Sequence, residues 1–134
     1  MHVKFALLAD GANLSREGKL NILGTFDTIY ARTFPTAHPH MQLVLRLEAA
    51  PEEAGSNRTL EVRLLDGSGR VLAHAPGTLA VQPQETGEAI RLDRIFTFTT
   101  VVFEAPGRYS FAVVVDGKTD ATVPLRVEQL PVTH

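Results

Sequence analysis

The segment Arg108-Tyr109-Ser110-Phe111-Ala112-Val113-Val114-Val115-Asp116-Gly117-Lys118-Thr119-Asp120-Ala121-Thr122-Val123-Pro124-Leu125-Arg126-Val127 decides the fold class. Tyr109, Phe111, Val113 and Val115 alternate with Arg108, Ser110, Ala112 and Val114. Ala121, Val123, Leu125 and Val127 alternate with Thr122, Pro124, Arg126 and Glu128. Successive side chains of a strand point to opposite faces, so each run reads as a strand with one buried face. Between them, Asp116-Gly117 suits the positive φ angles of a tight hairpin turn. Pro124 has no N–H for the ladder, which puts the last strand at a sheet edge or at a bulge.

The same period of two extends through the chain. Met41, Leu43, Leu45 and Leu47 alternate with Gln42, Val44, Arg46 and Glu48, and Leu60, Val62 and Leu64 alternate with Thr59, Glu61 and Arg63. Asp66-Gly67-Ser68-Gly69 makes a second hairpin turn, and Ala105-Pro106-Gly107 a third turn entering the strand at Arg108. Val3 to Ala9 is apolar on both faces apart from Lys4, as in a strand covered on both sides. Lys19 to Tyr30 reads as one long strand with a bulge or bend at Gly24. Ile90 to Phe103 needs a register change near Asp93-Arg94 to bring all its large apolar residues to one side. Val71 to Ala75 and Thr78 to Gln82 read as two short peripheral strands. Ala12 to Gly18 offers one helical turn, with Asn13 capping it and Gly18 ending it.

Eight or nine evenly spaced strands joined by Gly and Pro turns predict an all-β chain: a single-domain antiparallel β-sandwich over residues 1–134, with immunoglobulin-like or related Greek-key topology. Tyr109 sharpens this expectation. It stands two residues after a turn glycine at the start of the penultimate strand, where sandwiches of that class place a tyrosine that hydrogen-bonds back to the preceding corner.

Composition narrows the function classes. The chain has 134 residues, 44% of them hydrophobic, with 13 Lys and Arg against 15 Asp and Glu. A net charge of -2 and an isoelectric point near 6.2 give no electrostatic ground for nucleic acid or an anionic membrane as partner. The lack of cysteine leaves no disulfide to form. Phe5 to Ala9 is too short an apolar run for a signal peptide, so a cytoplasmic location is expected.

The opening Phe5-Ala6-Leu7-Leu8-Ala9-Asp10-Gly11-Ala12-Asn13, with Arg16 to Gly24 and Phe26-Asp27, resembles a group of small bacterial proteins known only as a domain of unknown function. Phe34-Pro35, His38-Pro39, Pro106 to Tyr109, and Val115-Asp116-Gly117 through Val123-Pro124-Leu125 match the same pattern, so the resemblance covers nearly the whole chain. It implies a bacterial origin and a stand-alone sandwich, and it carries no activity or functional residue with it.

His38-Pro39-His40 is the strongest candidate constellation. Two imidazoles two residues apart on a regular strand share one face and can ligate one metal. Pro39 breaks that regularity, no carboxylate lies nearby in sequence, and His2 or His74 would have to arrive through the fold. The pair therefore reads as loop histidines ahead of the strand at Met41, with Phe34 and Pro35 packing the loop down, and no metal or other cofactor is implied. Asp66, Asp116 and Asp120 are too scattered for a calcium loop. Tyr30, Arg32 and Phe34 form the one aromatic-cationic cluster with a surface character. Glu52-Glu53 reads as solvated, and Ser15, Ser56, Ser68 and Ser110 sit in no nucleophile motif.

The expected function is a non-enzymatic protein–protein contact, as an accessory or assembly component or by self-association. Strand edges and the outward apolar residues Val44, Leu65 and Val114 are its candidate surfaces. The alternative is a small-ligand or carbohydrate module using Arg32, Phe34, His38 and His40.

Overall fold

The computed structural model describes residues 1–83 and 87–131. The segment from Arg108 forms the expected hairpin: Gly107–Val115 and Lys118–Gln129 pair antiparallel around Asp116 (φ 48°) and Gly117 (φ 83°). The turn is also fastened sideways. Asp116 donates its N–H to the Thr59 carbonyl at 3.0 Å, and its carboxylate accepts from the Thr59 N–H at 3.0 Å and from Arg58 at 2.7 Å.

In chain order the strands are β1 (His2–Leu14), β2 (Leu20–Phe26), β3 (Thr28–Ala31), β4 (Thr36–Ala49), β5 (Asn57–Leu65), β6 (Val71–Ala80), β7 (Ile90–Phe103), β8 (Gly107–Val115) and β9 (Lys118–Gln129). They make two sheets, β2-β1-β4-β7 and β3-β9-β8-β5-β6. Every recorded pairing is antiparallel except β3 on β9. The inner faces meet in one apolar core. Met41, Leu43, Leu45 and Leu47 of β4 lie against the cluster that holds Val62, Leu64, Phe111, Val113 and Leu125 of the other sheet, all without solvent exposure. Phe98 of β7 and Phe111 of β8 tie the sheets together, their ring centroids 5.2 Å apart and tilted by 55°.

Several local expectations are corrected. Residues 12–18 hold no helical turn. β1 continues to Leu14 and turns over Ser15 to Lys19, where the Ser15 N–H donates to the Lys19 carbonyl at 2.7 Å. Asn13 accepts from the Asn21 side chain across the hairpin at 2.9 Å instead of capping a helix. A lone helical turn orders several residues for one hydrogen bond, whereas the ladder adds one for nearly every residue. Residues 19–30 are two strands in different sheets, divided at Asp27, whose carbonyl accepts from the Arg126 N–H at 2.8 Å. Gly24 takes φ 71° within β2, but the β1–β2 register does not shift there, so it makes no bulge. Val71 to Ala80 is one strand; Pro76 is accommodated because β6 is a sheet edge.

Pro124 lies in a strand flanked on both sides, β3 on one and β8 on the other. However, β3 reaches only Arg126 to Gln129, so the stretch holding Pro124 has no strand on that side. Val44 and Val114 do not offer outward apolar surface: they are 0% and 4% exposed. On its outer face Val44 sits between its cross-strand neighbours Leu7 and Ile95, and Arg46 lies over the Phe5 ring at 5.1 Å beside them. Glu53 is not simply solvated either, since its carboxylate accepts from Arg58 and from the Ala50 N–H at 2.7 Å.

The β4–β7 ladder keeps one register from Thr36↔Phe103 to Ala49↔Ile90, with no change at Asp93-Arg94. Asp93 is instead an outer-face partner for Arg46, with Nε to Oδ1 at 2.9 Å. The face switch falls further on, opposite Pro39, where Thr100 takes φ 51°. On β7 the inward set passes from Ile90 and Phe98 to Val101 and Phe103; on β4 it passes from Met41 to Ala49 over to Thr36 and His38.

Tyr109 is buried, stands edge-on to Phe103 at 4.9 Å, and donates its hydroxyl proton to the Ala105 carbonyl at 2.5 Å. Tyr109→Phe leaves that carbonyl short of its partner and should cost about 1–3 kcal/mol in urea denaturation. Phe111→Ala, which empties the contact between the sheets, should cost about 3–5 kcal/mol in the same assay.

Candidate functional site

The four residues singled out around 32–40 do not form one loop. Thr36 onward is strand, so His38 and His40 belong to β4. The face switch at Pro39 separates them. His40 is exposed, and its Nδ1 lies 3.1 Å from the Asp10 carbonyl. His38 is half-buried and packs on the Phe26 ring at 5.9 Å between centroids. Phe34 packs against the core, while Arg32 is exposed and its carbonyl accepts from Gln129 at 3.2 Å. The shared-face condition for a two-histidine metal site is therefore not met. Among the described residues no group of three or more His, Asp or Glu side chains is placed to hold a metal ion.

The geometry gathers a different set at the seam between the sheets. A pocket of about 290 Å³ is lined by Asp10 of β1, Phe26 of β2, Thr28, Ile29 and Tyr30 of β3, and His38 of β4. It arises because the chain changes sheets at Asp27, so Phe26 and Thr28 flank one crossing point. Of its lining residues sequence reading singled out His38 and Tyr30. Asp10 was missed, because it is far from both in sequence and stands alone after the apolar run that ends at Ala9.

His38 is the unusual member. Its Nε2 is buried without a hydrogen-bond partner among the described residues. Burial holds its pKa below the ordinary imidazole value, against the upward pull of the Asp10 charge and of a hydrogen bond to the His40 backbone, and with a small downward push from His40. Asp10 is exposed, and among the described residues its carboxylate has no recorded hydrogen bond or ion pair.

The other polar groups named from the sequence are committed elsewhere. Asp66 accepts from Ser68 and Arg70 within its own turn, and Asp120 accepts from the Val3 N–H at 2.7 Å. Ser15, Ser56 and Ser68 hydrogen-bond within turns. His74 pairs with Glu61 at 2.7 Å, at the β5–β6 end of the sheet that β3 begins.

A second concave feature runs along one flank. Between the sheet edges β6 and β7 lies a groove of about 500 Å³, lined by Arg70 to Ala73, Phe98 to Val102 and Glu104. Val71 and Val102, which line it, are 49% and 45% exposed.

Two packed sheets with a small pocket at their seam define an all-β protein, and the described residues include no helix long and apolar enough to cross a membrane. The chain belongs to the family of unknown function DUF6941, whose pattern matches residues 4–128. No curated protein matches it. Among solved structures, Pseudomonas fluorescens alkylpurine DNA glycosylase AlkC, bound to DNA containing an abasic site analog, is similar over 76% of this chain and 27% of its own, with 16% identity and a TM-score of 0.44. The chain thus spans about a quarter of that protein's length.

The buried imidazole predicts an acid-sensitive fold. In the unfolded chain His38 titrates near 6.5 and in the folded chain below it. Between those values the unfolded chain binds the extra proton, so stability falls as pH falls through that window. Asp66 and Asp116 are held low by hydrogen bonds, first from Ser68 and Arg58 respectively, and their contribution fades only below their ordinary 3.8. Melting temperatures measured from pH 7 to 5 should drop for the wild type and stay flatter for His38→Phe. Equal slopes would remove His38 as the cause.

Proposed function

We propose that this protein is a non-enzymatic interaction module, of immunoglobulin-like topology, that receives an extended segment of a protein partner along the β6–β7 flank. The observation that carries the reading is the outer edge of β7: fourteen residues with no strand paired to it among the described residues, beside the exposed Val71 and Val102. Such an edge presents a row of unpaired backbone donors and acceptors, and an added strand satisfies them while its alternate side chains enter the groove. The strand orders β1-β4-β7 and β9-β8-β5-β6, the parallel β3 against β9, and the Tyr109–Ala105 hydrogen bond support the immunoglobulin-like reading.

Native mass spectrometry of the untagged protein from its own cells tests the contact. The wild type should run as a defined complex, with slowed hydrogen exchange along β7, and Val71→Lys/Val102→Lys should release the bare chain of 14.6 kDa. Both valines are exposed, so the variant should keep its fold. A wild-type bare chain, or a complex that survives the double substitution, overturns this docking site.

A second reading, a small-ligand module, is supported by the seam pocket, which Asp10 and His38 both line; neither the Asp10 carboxylate nor the His38 Nε2 has a hydrogen-bond partner among the described residues. Of the residues first weighed for that role, His38 lines the pocket and Arg32, Phe34 and His40 do not.

A further inference from the structure

We infer that the seam pocket binds an organic cation, an ammonium or guanidinium headgroup, with Asp10 as its counter-charge and Tyr30 and Phe26 as its aromatic wall. The inference rests on the small-ligand reading and specifies the chemistry of its ligand.

The lining sets the charge. Asp10 supplies the one full charge, and no Lys or Arg lines the pocket. An anion there would face a carboxylate with no lining cation to offset it, whereas a cation meets a carboxylate that has no hydrogen bond or ion pair among the described residues. Thr28 donates its hydroxyl to Asp27 at 2.9 Å, which leaves it to act as an acceptor. Burial lowers the His38 pKa and so favours the neutral imidazole, which limits repulsion of a cation.

The walls suit the same ligand. Tyr30 is 59% exposed, an unusual position for so large an aromatic surface, and Phe26 stands beside it in the lining. Aromatic faces attract ammonium and guanidinium groups through the ring quadrupole. At about 290 Å³ the pocket sits at the lower limit of small-molecule sites, enough for a headgroup and too small for an oligosaccharide.

Gly24 keeps Asp10 available. It lies opposite Asp10 in the β1–β2 hairpin, and a Cβ built there would fall 2.6 Å from the Asp10 Oδ2. The carboxylate therefore rests over bare backbone, in space that any other residue would fill, and the φ of 71° at this position disfavours such a residue independently.

The test is an amide NMR titration of the intact chain with tetramethylammonium, n-butylammonium and agmatine, and with the capped peptides acetyl-Gly-Lys-Gly-amide and acetyl-Gly-Arg-Gly-amide. Sodium acetate and methyl glucoside serve as anionic and neutral counter-probes. Saturable shifts centred on Asp10, Gly24, Tyr30 and His38 are expected with the cations, weakened about fivefold or more in Asp10→Asn and in Tyr30→Ala. Both substitutions are at exposed positions and should leave the remaining spectrum unchanged. Binding of the small amines with no response to the peptides supports a free metabolite as the source, and equal binding of the peptides supports a partner's Lys or Arg side chain. Saturable binding of acetate or methyl glucoside alone overturns the cation assignment and leaves the small-ligand reading standing. No saturable shift with any probe overturns both, and undiminished cation binding by Asp10→Asn overturns the role of Asp10.

Discussion

Pro39 has no N–H to donate, and it falls inside the longest ladder among the described residues. β4 pairs with β1 along one side and with β7 along the other, so its backbone is held on both sides. The ladder accommodates Pro39 by placing Thr100 opposite it in the left-handed region and exchanging inner and outer faces on both strands at once. On one side of this point β4 buries Met41, Leu43, Leu45 and Leu47; on the other it turns His38 inward. A single missing donor thus puts an imidazole at the end of an apolar core.

The crossing at Asp27 completes the consequence. Because β2 and β3 belong to different sheets, the core opens at a seam there, and His38, Phe26, Tyr30 and Asp10 converge on it. An unsatisfied buried nitrogen costs about 1–3 kcal/mol. A core of this size tolerates such a cost because both sheets contribute fully buried Leu, Val and Phe side chains elsewhere. The opposite flank is organised differently. There Arg58 bridges Glu53 and Asp116, tying the loop after β4 to the β8–β9 turn, so that end is held by charge and hydrogen bonds where the seam is held by packing.

Much of the fold was legible in the sequence because its signal is local. Period-two alternation identifies strands wherever one face is buried, and it located most of them, from Met41 to Leu47 through the β8–β9 hairpin. The Asp116-Gly117 turn announces itself by its positive φ requirement, whereas in the turn from Asp66 to Gly69 the positive φ falls on Gly69 and not on the Asp-Gly pair. The failures occurred where local pattern was silent or ambiguous. Val71 to Ala75 and Thr78 to Gln82 were read as two strands where one strand runs through Pro76, which an edge strand accepts. Val44 and Val114 are outward by alternation yet buried by their neighbours, a fact that depends on which side chains stand across the strand. A register change was expected near Asp93-Arg94 to bring the apolar residues of β7 to one side, but the ladder keeps its register there, Asp93 pairs with Arg46, and the faces exchange opposite Pro39.

By itself the sequence determined the class: strands, their turns, their apolar faces, and the absence of any contiguous catalytic or metal-binding motif, since all these depend on residues close in the chain. The tertiary structure alone decided which faces stayed open and which polar groups met. The pocket joins residues 10, 26, 30 and 38 from four strands, and the open flank joins 71 to 102. Such juxtapositions follow from strand order and register, which arise from pairing and packing over the whole chain and leave no mark in any short stretch of it.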